Sequence, residues 1–176
     1  MRTNVRLTTF KFLFLSTFFI TVASCNQKAN TTVESKNQVL HETLKSEKPD
    51  YFLLRPDLEK MYGYTQAVRI GNSVKIGGVI SIDEKGNPIS KDDFKQQMKN
   101  CYNSIETILK HYNCTFNDVV LENLYTTSMS ELQKNAGYRH EIYKDHFPTG
   151  SWIGVNELGL PEIMIEIEIE ALIPEN

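Results

Sequence analysis

Between residues 163 and 170 the chain alternates strictly, with Ile163, Ile165, Ile167 and Ile169 set against Met164, Glu166, Glu168 and Glu170. A period of two makes one apolar and one acidic face, which a helix with its period of 3.6 cannot do, so the segment predicts a strand. The isoleucine face needs an amphipathic cover. Phe94, Met98, Cys101, Ile105, Ile108 and Tyr112 recur at spacings of four and three, predicting a helix of about twenty residues with one apolar stripe. Ser90-Lys91-Asp92-Asp93 precedes it as an N-cap with an acid three residues on. A second capped helix is predicted to open at Ser130-Glu131-Leu132-Gln133, with Leu132, Ala136, Tyr143 and Phe147 facing inward. Gly137 weakens it locally by about 1 kcal/mol relative to alanine.

The remaining pattern supplies strands. Residues 64–70 and 73–80 flank Gly71-Asn72 and predict a hairpin. Gly77-Gly78 inside the second run allows close approach of another backbone or a ligand. Residues 118–127 carry Val119, Val120, Leu121, Leu124 and Tyr125 and predict a strand mostly buried on both faces. A short strand over 151–155 precedes the final one. The order strand, strand, helix, strand, helix, strand, strand predicts an α+β domain, a mixed sheet with two helices on one face. The acidic face of the last strand then poses a problem, because three glutamates spaced two apart repel unless solvated or paired. That face is expected to be buried between subunits.

Charge and composition narrow the function. A net charge of −3 and the absence of a basic run with interleaved aromatics exclude a nucleic-acid binder. Residues 1–11 carry Arg2, Arg6 and Lys11 and no acid, and residues 12–22 are apolar. That run is too short to span a bilayer comfortably and fits the core of a signal peptide. It closes on Val22-Ala23-Ser24-Cys25, which resembles the lipobox of bacterial lipoproteins, where a lipidated cysteine becomes the new N-terminus. The expected organisation is a signal peptide over 1–24, a polar tether over 25–50 and a globular domain over 51–176. Cleavage before Cys25 lowers Lys plus Arg from 19 to 16 against 22 acids, for a mature charge of about −6. The expected location is a bacterial membrane, held by the lipid on Cys25 as an anchor. Asn26 favours the outer membrane on its periplasmic side, since the inner-membrane retention signal of such lipoproteins is usually Asp there.

Cys101 and Cys114 remain after processing. With Cys101 inside a helix that runs to Tyr112, their separation exceeds the roughly 7 Å limit between bonded Cα atoms, so both are expected to be free. The four histidines, at 41, 111, 140 and 146, show no metal-ligand spacing, and no metal or other cofactor is expected.

With these elements placed, Tyr64-x-Gln66-Ala67-Val68-x-x-Gly71-Asn72, Gly77-Gly78, Phe94-x-x-Gln97, Asp118-Val119-Val120, Tyr143-x-x-x-Phe147-Pro148 and Ile167-Glu168-Ile169-Glu170-Ala171 together resemble the Rid (YjgF) family of reactive-intermediate deaminases. The resemblance covers about 51–173. It implies a chorismate-mutase-like homotrimer whose sheets form a central barrel, with small-molecule clefts between neighbouring chains. It implies a cleft glutamate at Glu168, or at Glu166 if counted from Pro161, and a cleft tyrosine at Tyr64. Members that deaminate 2-imino acids use an arginine to hold the substrate carboxylate in two places. Here Gly150 stands in its position, and no Arg or Lys follows Lys144. The family's cleft serine falls on Gly77, its helix asparagine on His140, and a further cleft position on Trp152. Losing such a fork in a desolvated cleft costs about 2–5 kcal/mol. Arg139 is the one nearby cation, and helical geometry is expected to point it elsewhere.

Two readings follow. In the first, the chain is a tethered module binding a small uncharged or cationic, partly aromatic ligand near Tyr64, Gly77, Gly150, Trp152 and Glu166. In the second, it is an imine or enamine hydrolase acting through water activated by Glu168, with His140 as a proton carrier.

Overall fold

The computed structural model describes residues 48–174 of the chain. The tether, the signal segment and Cys25 fall almost wholly outside those residues.

Three strands form one side of the sheet. β1 (Asp50–Phe52) leads through α1 (Pro56–Tyr62) into the hairpin of β2 (Ala67–Ile70) and β3 (Ser73–Ile80). Ile70 pairs with Ser73 across Gly71, whose φ of 61° lies in the left-handed region that the tight turn requires. α2 (Phe94–His111) follows, then β4 (Val119–Thr126). Next come α3 (Met129–Asn135), a 3-10 turn at Ala136–Tyr138, α4 (Arg139–Ile142), β5 (Trp152–Gly154) and β6 (Ile165–Leu172). The sheet runs β1-β2-β3-β6-β4-β5. All pairs are antiparallel except β4 with β5, which makes the sheet mixed.

The α+β architecture is as the pattern predicts, and the central packing follows from it. Ile165, Ile167 and Ile169 are buried with Phe94, Met98, Cys101, Ile105 and Ile108 of α2, whereas Ile163 packs in a separate cluster with Leu58 and Ile82. Each such side chain contributes about 1.5–3 kcal/mol by leaving water. Buried Gln97 clips the layers together: its amide donates to the Glu162 carbonyl and accepts from the Met164 N–H, both at 2.8 Å. Cys101 and Cys114 are both free and buried.

The structure corrects the sequence reading in four places. β1 and α1 are additional elements. α1 is seven residues long and its register is set by charge: the buried Glu59 carboxylate accepts from the Arg55 and Gln66 N–H groups at 2.6 and 2.8 Å. The N-cap of α2 is Asp93, which accepts from the Gln96 N–H, whereas Ser90 sits at φ 58° in the preceding turn. The second helix begins after Ser128, and it is broken by the 3-10 turn around Gly137, the residue of weakest helix propensity in the run. β4 buries one face more than the other, leaving Val120 exposed and Leu121 and Tyr125 half-buried.

Candidate functional site

The two faces of the sheet carry different chemistry, and register decides which residue lies on which. Glu122 pairs with Ile169 and therefore points to the helices, whereas Asn123 pairs with Glu168 and points to the uncovered face. On that uncovered face Lys75, Gly77, Asn123, Glu168 and Glu170 line a shallow depression of about 240 Å³. The glutamate row resolves its mutual repulsion in three different ways. Glu170 pairs with Lys75 at 2.6 Å. Glu168 accepts a 2.7 Å hydrogen bond from the Tyr125 hydroxyl, and this bond raises the Tyr125 pKa.

Among the described residues Glu166 has neither kind of partner. Its carboxylate lies over Gly78, where an added Cβ would stand 1.8 Å from Oε1. Burial, reinforced by the neighbouring charge of Glu168, raises its pKa. A carboxyl with a higher pKa folded than unfolded favours folding as pH falls through that range and opposes it once both states are ionised. Glu166→Gln is therefore expected to raise Tm at neutral pH, with the gain vanishing below the unfolded glutamate pKa of about 4.3. Thermal melts across that range check it; a gain that persisted in acid would contradict the electrostatic cause.

The helix side holds a second cluster, built on a buried acid. The Glu122 side chain is wholly buried. One oxygen accepts from the Tyr102 and Tyr143 hydroxyls at 2.7 and 2.8 Å, and the other accepts from Arg139 Nε at 2.6 Å and meets Nη2 at 2.5 Å. Burial and the Glu122 charge both hold the Tyr143 hydroxyl strongly protonated. The Arg139 guanidinium in turn lies 5.4–5.9 Å from the ring centres of Phe147, Tyr143 and Trp152. Alongside runs the 149–151 segment, hydrogen-bonded to β4 from Thr149 to Val120, Glu122 to Thr149 and Leu124 to Ser151. Gly150 permits this approach, since a Cβ there would lie 1.7 Å from the Glu122 carbonyl oxygen.

The sequence-derived site residues therefore divide between the two faces. Glu166, Glu168 and Gly77 lie on the uncovered face, although Gly78 and not Gly77 is what makes room for Glu166. Gly150, Trp152 and His140 lie with the Arg139 cluster, where the His140 ring stands edge-on to Phe147 at 4.9 Å. Within one protomer Glu168 and His140 are thus not brought together. Tyr64 is 40 % exposed beside Glu59 and Arg55 and does not line the depression. The expected partners of the acidic row need correction: Lys75 takes Glu170, while Arg69 donates to the Gly71 carbonyl of its own hairpin. Arg139, expected to point elsewhere, reaches Glu122 and the rings of Phe147 and Trp152, which flank Gly150 in sequence. Sequence reasoning missed Tyr125 and Glu122. The signal for Glu122 was an acid with an unpaired charge inside an otherwise apolar strand.

A mixed six-stranded sheet with helices on one face and carboxylates on the other defines the fold class, and the comparisons give it a family. The chain belongs to the Endoribonuclease L-PSP family, the RutC or YjgF group, whose profile matches residues 55–173. It is similar to a RutC family protein of Pyrococcus abyssi, 31% identical over 60% of this chain and 82% of that protein. A 2-iminobutanoate/2-iminopropanoate deaminase of Dermatophagoides farinae is 24% identical over 62% and 84% of the two chains. Among solved structures, a YjgF/YER057c/UK114 family member from Mycobacterium tuberculosis superposes with a TM-score of 0.63 at 26% identity, covering 72% of this chain and all of that one.

Proposed function

We propose that this protein is a Rid-family module that binds a small uncharged or cationic ligand and does not deaminate imino acids. In this reading it assembles as a homotrimer through its uncovered sheet face. Export and lipidation at Cys25 tether it to a bacterial membrane, the outer one favoured. The observation that carries the reading is the charge of the uncovered face: among the described residues Glu166 and Glu168 lack a basic partner there, and Lys75 is already committed to Glu170. An anionic substrate meets repulsion on such a surface, and a cation or neutral donor meets acceptors.

The test uses mature protein incubated with 2-iminopropanoate and 2-iminobutanoate, with ammonia as the readout. The expected result is no release above the uncatalysed rate, together with calorimetric binding of phenethylamine that Glu168→Gln weakens by about tenfold or more. Ammonia release well above background overturns the reading. In cells, Cys25→Ala is expected to move the protein from the membrane to the soluble fraction; retention in the membrane would remove the tether from the proposal.

One observation favours a second reading. Glu166, with its raised pKa, lies beside Glu168, which the Tyr125 hydroxyl supports, and paired carboxylates in unlike environments suit general acid and general base roles. In that reading Glu168 takes a proton from water as its oxygen attacks the C=N carbon while Glu166 protonates the nitrogen. Glu168 then gives its proton to the resulting amine, and Glu166 takes the carbinolamine hydroxyl proton as the C–N bond breaks, releasing ammonia and leaving a carbonyl. The similarity to deaminases at 24–27% identity accords with it.

A further inference from the structure

The irregularity in β3 is held by a side chain that precedes the neighbouring strand, Gln66. Ile76 pairs with Ile169 and Val79 with Ile167, so three steps along β3 answer two along β6, and the extra residue bulges at Gly77–Gly78. β2 begins only at Ala67, opposite Ile76, so the ladder on that side stops where the bulge starts. The bulge carbonyls still need donors. One amide supplies both: Gln66 Nε2 donates to the Gly77 carbonyl at 3.0 Å and to the Gly78 carbonyl at 3.3 Å, while the Gly77 N–H donates back to the Gln66 carbonyl at 2.9 Å. Gln66 is itself buried and is fixed by Glu59, whose enclosed carboxylate accepts from the Gln66 N–H at 2.8 Å and from the Arg55 N–H at 2.6 Å. An amide suits the place because it offers two N–H groups on one atom without a charge to bury.

The bulge matters to the site because of what rests on it. The Glu166 carboxylate fills the volume that a side chain at Gly78 would take, with Oε1 and Cδ at 1.8 and 2.6 Å from an added Cβ. Moving the Gly78 main chain therefore moves the seat of Glu166. We propose that Gln66, held by Glu59, is a positioning residue for Glu166: its amide keeps the Gly77–Gly78 bulge open and so sets where that carboxylate stands on the uncovered face. This role rests on that face being the ligand site proposed above, and it assigns to α1, through Glu59, a part in shaping a site that α1 does not line.

The test uses the full mature chain carrying carboxyl-13C glutamate, the Glu166 signal being the one that Glu166→Gln removes. In the parent its titration midpoint is expected above that of an exposed glutamate, and in Gln66→Met, which keeps the volume and loses both donors, it should fall back toward that range. Gly78→Ala should do the same, since its Cβ displaces only the end of the Glu166 side chain and leaves the bonds of Gln66 in place. Both variants are expected to weaken phenethylamine by about threefold or more in calorimetry. Leu132→Val, a core truncation on α3, is the control for lost stability alone and should leave the midpoint where it is. Where Gln66→Met does not fold, the parent decides: the Gln66 side-chain amide signals should shift with the Glu166 midpoint, and that shift should vanish in Glu166→Gln. An unmoved midpoint in folded Gln66→Met overturns the proposal, as do Gln66 amide signals that do not follow Glu166. The titrations are read without ligand, so a parent that fails to bind phenethylamine counts against the proposed function and not against the positioning role.

Discussion

Arg139→Met is expected to destabilise the domain by about 3–5 kcal/mol, the cost of leaving one member of a buried ion pair without the other. Glu122 is wholly enclosed, and without the guanidinium its charge is offset by only the two tyrosine hydroxyls. At this size such a loss lowers Tm by on the order of 10 °C. Adding Glu122→Gln to Arg139→Met should recover most of it, because a neutral amide can still accept from the tyrosines and no unpaired charge remains. Chemical denaturation of the two single variants and the double closes a cycle, and a coupling near zero would mean that the pair contributes nothing to the fold. The same network also anchors three elements at once, since Tyr102 lies on α2, Glu122 on β4 and Arg139 on α4. Its loss is therefore expected to loosen the packing of Phe147 and Trp152 around Arg139 along with the core.

The parts of the fold legible in the sequence were those written in periodicity. The stripe on α2 and the alternation on β6 are long, and each is buried as its period requires. The Gly71-Asn72 hairpin was legible because a left-handed turn leaves a chemical mark. Short elements left no such mark: β1 spans three residues and α1 seven, and both are held by tertiary contacts such as Glu59 to Arg55 and Gln66. The site was half legible. Alternation fixed Glu166 and Glu168 on one face, but it could not show that Tyr125, Lys75 and Gly78 would give three neighbouring glutamates three environments. Nor could it place Arg139, whose buried partner Glu122 lies on another element seventeen residues away in sequence.

Gly150→Arg tests the idea that an anion grip could be restored by one substitution, and it is expected to fail for a backbone reason. Any side chain at this position places Cβ 1.7 Å from the Glu122 carbonyl oxygen and 2.7 Å from its carbonyl carbon. The obstacle is main chain, so no rotamer change relieves it. The 149–151 segment must pull away from β4, which breaks the ladder bonds between Thr149 and Val120, Glu122 and Thr149, and Leu124 and Ser151. Overpacking of this kind costs about 1–3 kcal/mol before the lost hydrogen bonds, each worth about 1 kcal/mol, are added. Gly150→Ala carries the same Cβ and should destabilise nearly as much as the arginine. That equality is the diagnostic, because it assigns the damage to the backbone and none of it to charge. If Gly150→Arg instead folded with parental stability and released ammonia from 2-iminopropanoate, the close approach of the 149–151 segment to β4 would be dispensable. Glycine at 150 would then be all that separates this surface from an imino-acid deaminase.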